Sequence, residues 1–315
     1  MAVLTPLSTE HIEGFIAAYN VGSVRHWQGI SAGSENSNFF VTTDQGEFVL
    51  TLIERGDPKA LPFFVTLLKR LHQANLPVPY AIEGIDGVAL RTLAGKPALL
   101  QPRLSGSHIH TPNAHHCQEV GKMLAKIHVA TCDHMIEGRS DRGLQWMLEV
   151  GPALLSELEE DEQALLKNAL AEIETLKTAI WALPQANLHA DLFLDNVLFE
   201  GAHLSGVIDF YNACQGPMLY DVAITCNDWC SNTDGSLDRH RAEALLGAYV
   251  AHRPCTVAEA ELWPALLRIA CVRFWLSRLV AKREALAGMP LKAPEEFAVK
   301  LRQRLVSDIA LPMAF

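Results

Sequence analysis

Nowhere among the 315 residues is there an apolar run that stays uncharged long enough to span a bilayer. The longest apolar segment, Pro264 to Ala281, is interrupted by Arg268, Arg273 and Arg278. Three cations are too costly to place inside hydrocarbon, so the segment reads as a helix of a soluble protein, and no membrane partner is expected. The opening residues Met1-Ala2-Val3-Leu4-Thr5-Pro6 lack a charged stretch followed by an apolar core, so no export signal is expected and the chain is assigned to the cytoplasm. Positive charge is scarce as well. Lys and Arg number 26 against 36 Asp and Glu, giving a net charge of −10 and a pI near 5.7. That balance excludes the basic face needed to grip a nucleic-acid backbone. The seven cysteines are odd in number and scattered, in a chain too long to need staples, and they read as reduced thiols. Cys226 and Cys230 have helical spacing, but no second Cys or His pair stands near enough to complete a zinc site. Walker A spacing, internal repeats and low-complexity segments are all missing.

What the chain does have is concentrated between Asn187 and Asp209. His189-Ala190-Asp191 is followed by Asn196, which reproduces the H-x-D-x-x-x-x-N spacing of a phosphotransfer loop. In that arrangement the Asp accepts a hydroxyl proton and the Asn helps hold a metal. The β-rich run Val197 to Glu200 turns at Gly201-Ala202-His203 into Leu204 to Phe210, a hairpin that carries Asp209 back beside the loop. Magnesium takes hard oxygen ligands and keeps several positions for water and phosphate, so Asn196 and Asp209 suffice as its protein ligands. Asp191 then stays available as the base, and His189 is assigned to bracing the loop. Asp195 is assigned to structure.

These residues resemble the aminoglycoside phosphotransferase and choline kinase superfamily. Three features carry the resemblance: the catalytic stretch His189 to Asn196 with Asp209, the following segment Pro217-Met218-Leu219-Tyr220-Asp221-Val222-Ala223, and the helix end Gly121 to His128. Within the superfamily the chain is similar to the homoserine kinases of the phosphotransferase-like type. That similarity rests on Val3 to Leu7, Gly33 to Phe40, Phe48 to Leu52 and Ala270 to Leu279. The resemblance implies a two-lobed α+β fold of the protein-kinase kind. Residues 1–100 would form an antiparallel-sheet nucleotide-binding lobe, 101–104 a hinge, and 105–315 a helical lobe with the catalytic loop. It also implies ATP and Mg2+ as cofactors. The small-molecule substrate would be an amino alcohol, L-homoserine, phosphorylated on its hydroxyl for threonine synthesis. A homodimer is compatible with the sequence.

One departure from the superfamily stands out. Most such kinases carry a Lys on the third strand, paired with a Glu on the next helix, to hold the α- and β-phosphates. Here Thr51 occupies the Lys position, and the helix expected over Pro58 to Ala74 contains no Glu. Losing both partners together avoids leaving one unpaired charge. ATP would then be met by magnesium and by the Gly33 to Asn38 turn, where Ser34, Asn36, Ser37 and Asn38 are the candidates. Gln101 and Leu104 are the candidates for the adenine side.

Along the chain, Thr9 to Asn20 reads as an amphipathic helix. Strands are expected at Val24 to Ile30, Asn38 to Thr43, Glu47 to Ile53, Val78-Pro79, Gly87 to Leu93 and Pro97 to Gln101. Helices dominate from Thr111, with Pro152 to Leu183 nearly continuous and its acidic patch Glu157 to Glu162 a solvated face. Homoserine carries a carboxylate and an ammonium, so its pocket needs an arginine and an acid. Arg273 or Arg278 is the candidate for the first, and Asp228 or Asp221 for the second. The family's acid at Asp221 instead supports the loop backbone, and Trp229, Tyr211, Asn212 and Asn227 flank the same region. Other readings of the chain are a kinase of choline, ethanolamine, methylthioribose or an aminoglycoside, and a catalytically silent nucleotide-binding regulator.

Overall fold

A computed structural model describes residues 4–31, 36–54, 57–285 and 291–312. The chain divides into two compact units, Met1–Gly106 with Ser205–Ile208, and Ser107–Leu204 with Asp209–Phe315.

The first unit opens with helix α1 (Thr9–Ile16), where Ser8 and His11 form a reciprocal capping box. The helix stops four residues short of the expected Asn20. Ala18 and Tyr19 tighten to bonds with Phe15 and Ile16, and Gly22, at φ +81°, then turns the chain into a strand. Five antiparallel strands follow: β1 (Val24–Gly29), β2 (Ser37–Thr43), β3 (Glu47–Leu52), β4 (Arg91–Leu93) and β5 (Lys96–Pro102), in the order β1-β2-β3-β5-β4. The β2–β3 hairpin closes through Asp44-Gln45-Gly46, with the Thr43 N–H on the Gly46 carbonyl. Side-chain alternation sorts the sheet into two faces. Phe39, Val41, Phe48, Leu50, Leu52, Ala98 and Leu100 pack with Ile12, Phe15 and Ile16 of α1. Asn38, Thr51 and Gln101 lie on the other face. Val78-Pro79 is not a strand, because Pro77 and Pro79 lack the N–H donors a ladder requires. Only Arg91–Leu93 of the expected Gly87 to Leu93 strand pairs, since Gly87 sits in a left-handed turn. Helix α2 (Leu61–Gln73) is preceded by a short 3-10 turn over Pro58–Ala60 that the Asp57 side chain caps.

Helices dominate the second unit: α3 (Ala114–Val129), α4 (Leu144–Leu154), α5 (Glu160–Trp181), α6 (Met218–Trp229), α7 (Arg239–His252), α8 (Val257–Glu284) and α9 (Glu295–Arg304). Among the described residues, no helix is long and apolar enough to cross a membrane. The nearly continuous helical stretch expected over Pro152 to Leu183 is the end of α4, a 3-10 turn over Leu155–Glu157 and α5, with a break at Leu158, whose backbone is extended. The acidic patch is the expected solvated face, with Glu157, Glu159, Glu160 and Asp161 exposed, and it also carries a helix start. Glu160, Asp161 and Glu162 form the first turn of α5, where the helix dipole favours negative charge. Two small sheets complete this part of the chain. β6 (Gln185–Leu188) pairs antiparallel with β9 (Cys214–Pro217), and β7 (Val197–Glu200) pairs with β8 (His203–Val207).

Candidate active site

The segment after β6 leaves regular structure at His189, so each of its backbone N–H groups needs another acceptor. Helix α6 supplies three of them. Asp221 is fully buried; its Oδ2 accepts from the His189 N–H at 2.7 Å and its Oδ1 from the Ala190 N–H at 2.8 Å. Asp228 Oδ2 accepts from the Leu194 N–H at 2.8 Å, and the Trp229 indole donates to the Leu192 carbonyl at 3.0 Å. Ala190 adopts φ +61°, a conformation that costs a non-glycine residue about 1 kcal/mol. Its bond to Asp221 offsets that strain. Burial works to raise the Asp221 carboxyl, but bonds and charge from His128, with help from His189, outweigh it and hold the group below its usual range. His128 is itself buried between Asp221 (3.1 Å) and the Tyr249 hydroxyl (2.9 Å), a relay joining α3, α6 and α7.

Held this way, the loop presents Asp191 at its tip. The Asp191 N–H donates to His189 Nδ1 at 3.2 Å, and the His189 ring lies 4.5 Å from that of Phe210. His189 is fully buried, the position of a brace. The Asp191 carboxylate takes a bond from Asn212 Nδ2 at 3.0 Å and stands 3.8 Å from the Arg273 guanidinium. Arg273 donates to Asn212 Oδ1 at 3.2 Å, closing a triangle. Among the described residues that bond is the one side-chain hydrogen bond the guanidinium makes, and the residue is only 4% exposed. Burial, the larger influence, pulls its pKa down, while Asp191 acts in the opposite sense.

Asn196 turns its Nδ2 onto the Asp191 carbonyl at 2.8 Å, which aims the amide oxygen elsewhere. Asp209, two residues beyond β8, lies in the left-handed region, φ 62° and ψ 62°, and is exposed. A carboxylate and an oriented amide oxygen are hard donors and fit a magnesium ion that retains water and phosphate ligands.

The remaining candidates fall in different places. Arg278 is committed to Glu296 (2.6 Å) and the Ala293 carbonyl (2.7 Å), over the Phe297 ring. It lines a cavity of about 460 Å³ with Phe193, Asp195, Asp228, Lys292 and Glu296. Arg268, earlier on α8, is bound by Glu172 of α5. In the first unit, Ser34 lies outside the described residues. The Asn36 side chain accepts from the Glu54 N–H, and Gln101 donates to the Pro79 carbonyl at 3.1 Å. Asn38 accepts from the Thr51 hydroxyl at 2.7 Å. The buried Ser37 hydroxyl is spent on the Leu4 and Thr5 N–H groups and on Glu54. Leu104 is half-buried. Lys96 pairs with Glu54, but by alternation both share the α1 face with Ser37, opposite Thr51.

Sequence reasoning missed the Asn212 bond to Asp191 and the His128–Tyr249 support of Asp221. An amide three residues beyond the hairpin acid was the available signal for the first. The second joins residues 121 apart and left none.

Comparison with known proteins accounts for this arrangement. Residues 26–255 match the phosphotransferase enzyme family. A homoserine kinase of Pseudomonas aeruginosa is 60% identical over 316 residues, covering all of both chains. One from Methylobacillus flagellatus is 41% identical over 89% of this chain and 87% of its own. Among solved structures, an amicoumacin kinase in complex with AMP-PNP, Ca2+ and its antibiotic superposes with TM-score 0.68 at 15% identity, covering 95% of this chain and 92% of that one. A choline kinase of Cryptosporidium parvum gives 0.63 at 14%, over 95% and 94%. The fold is thus the α+β, protein-kinase-like one of these enzymes, and the chain belongs to the phosphotransferase enzyme family and, within it, to the homoserine kinases.

Proposed function

We infer that this chain transfers the γ-phosphoryl group of ATP to the hydroxyl of L-homoserine, releasing O-phospho-L-homoserine and ADP, in the cytoplasm and as a step of threonine biosynthesis. The observation that carries the acceptor assignment is Arg273. This guanidinium beside the base, bonded to Asn212, 3.8 Å from Asp191 and stacked on the Phe274 ring, presents further N–H donors of the planar kind that a carboxylate matches. Homoserine places its carboxylate only a few bonds from its hydroxyl, so a cation 3.8 Å from the base suits it. Arg278, already bound to Glu296, suits it less.

Asp191 accepts the hydroxyl hydrogen bond, orients the oxygen toward phosphorus and takes the proton as the new P–O bond forms. Asn212 fixes the carboxylate's rotation. Asp221, Asp228 and Trp229 hold the loop backbone, and the substrate's charges are met elsewhere. Asn196 and Asp209 would hold Mg2+, which neutralises phosphate charge when bound. The first unit serves as the nucleotide-binding lobe, and Asn36, Asn38 and Gln101 are its candidates for contacting ATP. Thr51 does not replace a lysine; magnesium and backbone donors take over that work.

An ADP-release assay with magnesium and a panel of L-homoserine, choline, ethanolamine and an aminoglycoside tests this. L-Homoserine is expected to give the highest kcat/KM, and Asp191→Ala to reduce turnover by about 10²–10⁴-fold. Turnover on choline alone would leave the family membership standing and remove the substrate assignment. ATP binding with silence on every alcohol would favour a nucleotide-binding regulator.

A further inference from the structure

Thr51 stands where most of the superfamily carries the strand lysine, and its hydroxyl has a definite partner. The residue is 2% exposed and donates to Asn38 Oδ1 at 2.7 Å. The two residues are direct partners across β2 and β3, so their Cβ atoms lie about 5 Å apart, on the sheet face opposite α1. The polarity of this bond matters. A carboxamide accepts at one end and donates at the other, so an oxygen turned onto Thr51 leaves the Nδ2 end turned away from it. With the amide reversed, Nδ2 would sit on the Thr51 oxygen and the buried hydroxyl would lose its acceptor, since among the described residues it makes no other hydrogen bond.

Asn36, two residues earlier, is set the same way by β3's end. Its Oδ1 accepts from the Glu54 N–H at 3.1 Å, and a backbone N–H can only donate. Gln101, on the same face as Asn38, is turned in the opposite sense, with its Nε2 on the Pro79 carbonyl at 3.1 Å. An amide oxygen bonded inward is therefore a feature of Asn36 and Asn38, not of every amide on these strands. Charge explains why a hydroxyl suits this position. Helix α2 holds no Glu, so an ammonium at residue 51 would lack the partner that offsets its desolvation. A hydroxyl bonded to an amide needs no counter-charge. Phosphate oxygens accept hydrogen bonds, so they are matched by amide N–H groups and repelled by amide oxygens.

We propose that Thr51 is a positioning residue: its hydroxyl locks Asn38 with the amide donor toward the α- and β-phosphates of the nucleotide. Asn36, locked to the same end by the Glu54 N–H, adds a second neutral donor. Thr51 itself touches no phosphate. The proposal rests on the first unit being the nucleotide-binding lobe, as inferred above.

Titration calorimetry of the full chain with ADP and with adenosine, each in the presence of magnesium, tests it. Thr51→Val keeps the side chain's shape and removes the hydroxyl; it should weaken ADP about three- to tenfold, and Asn38→Ala about tenfold, the loss of one hydrogen bond to a charged acceptor. Adenosine carries no phosphate and should bind both variants as it binds the parent. Thr51→Ser, which keeps the donor, should hold ADP within about twofold of the parent. A variant carrying both Thr51→Val and Asn38→Ala should bind ADP no more weakly than Asn38→Ala alone, because the hydroxyl acts only through the amide. Parent ADP affinity in Thr51→Val, an equal loss for adenosine, or losses that add in the double variant would overturn the positioning role and leave the nucleotide-binding reading in place. Parent ADP affinity in Asn38→Ala would overturn it as well, even if Thr51→Val failed to fold. A parent chain that binds no ADP would bring down both readings.

Discussion

Asp228 is held under unusual electrostatic stress for a carboxylate. Burial, the largest influence, pushes its pKa up to about 6 against the opposing pull of Lys300 and the Leu194 N–H, and Asp195 and Glu296 add to the rise. An acid whose folded pKa lies above its unfolded value near 3.9 keeps its proton longer in the folded chain. Its contribution to stability is therefore intact below about pH 4 and declines as pH rises toward 6, by about 3 kcal/mol in all. Asp228→Asn keeps an acceptor for the Leu194 N–H and removes the titration. Denaturant midpoints at pH 4 and pH 7 should shift relative to the parent by about that amount in the variant's favour at the higher pH. A difference independent of pH would refute the assignment. An unchanged KM for homoserine in the same variant would place Asp228 in loop support and not at the substrate ammonium.

At the scale of elements, the site depends on how closely helices approach. A Cβ built on Gly121 of α3 would lie 2.1 Å from the Leu245 carbonyl oxygen of α7, and backbone cannot yield as a flexible side chain can. The same pair of helices carries His128 and Tyr249, which hold Asp221 and through it the His189 and Ala190 N–H groups. Gly121→Ala should force the helices apart, lower stability by about 1–3 kcal/mol and reduce kcat more than it raises KM, as thermal unfolding and kinetics would reveal. A variant with parent stability and turnover would show that the approach is not needed. This coupling also marks what could be read in advance. The H-x-D-x-x-x-x-N spacing was legible because one short loop must deliver oxygen ligands and a base at fixed offsets. Asp221 was legible through the family resemblance as support for the loop backbone, but the parallel parts of Asp228 and Trp229 on α6 were not. Asn212 and Arg273 meet across 61 residues, and periodicity carries no record of such a pairing. Strand ends failed for local reasons, as at Pro77 and Pro79, where the ladder lacks donors.

The whole molecule carries a net charge of −10, and its substrate ATP is itself a polyanion. Among the described residues, Thr51 stands on the sheet face that ordinarily presents a lysine, and Lys96 is paired to Glu54 on the opposite face. On the function proposed here, magnesium supplies most of the positive charge that meets the phosphates. Nucleotide binding should therefore depend on magnesium more steeply than in a kinase that keeps the strand lysine. A ligand that binds only the folded chain raises its stability, by about 2.7 kcal/mol at a hundred times its Kd, so thermal shift reports the binding directly. Magnesium with ATP should raise Tm clearly, and ATP with a chelator should scarcely move it. Asp209→Ala should abolish the metal-dependent part of the shift, because the carboxylate is the one charged ligand proposed. Asn196→Ala, which removes a neutral oxygen, should only displace the magnesium requirement to higher concentration. The same magnesium dependence in the parent and both variants would remove these residues from the metal site, and a full shift without metal would return the phosphate charge to a basic side chain of the protein.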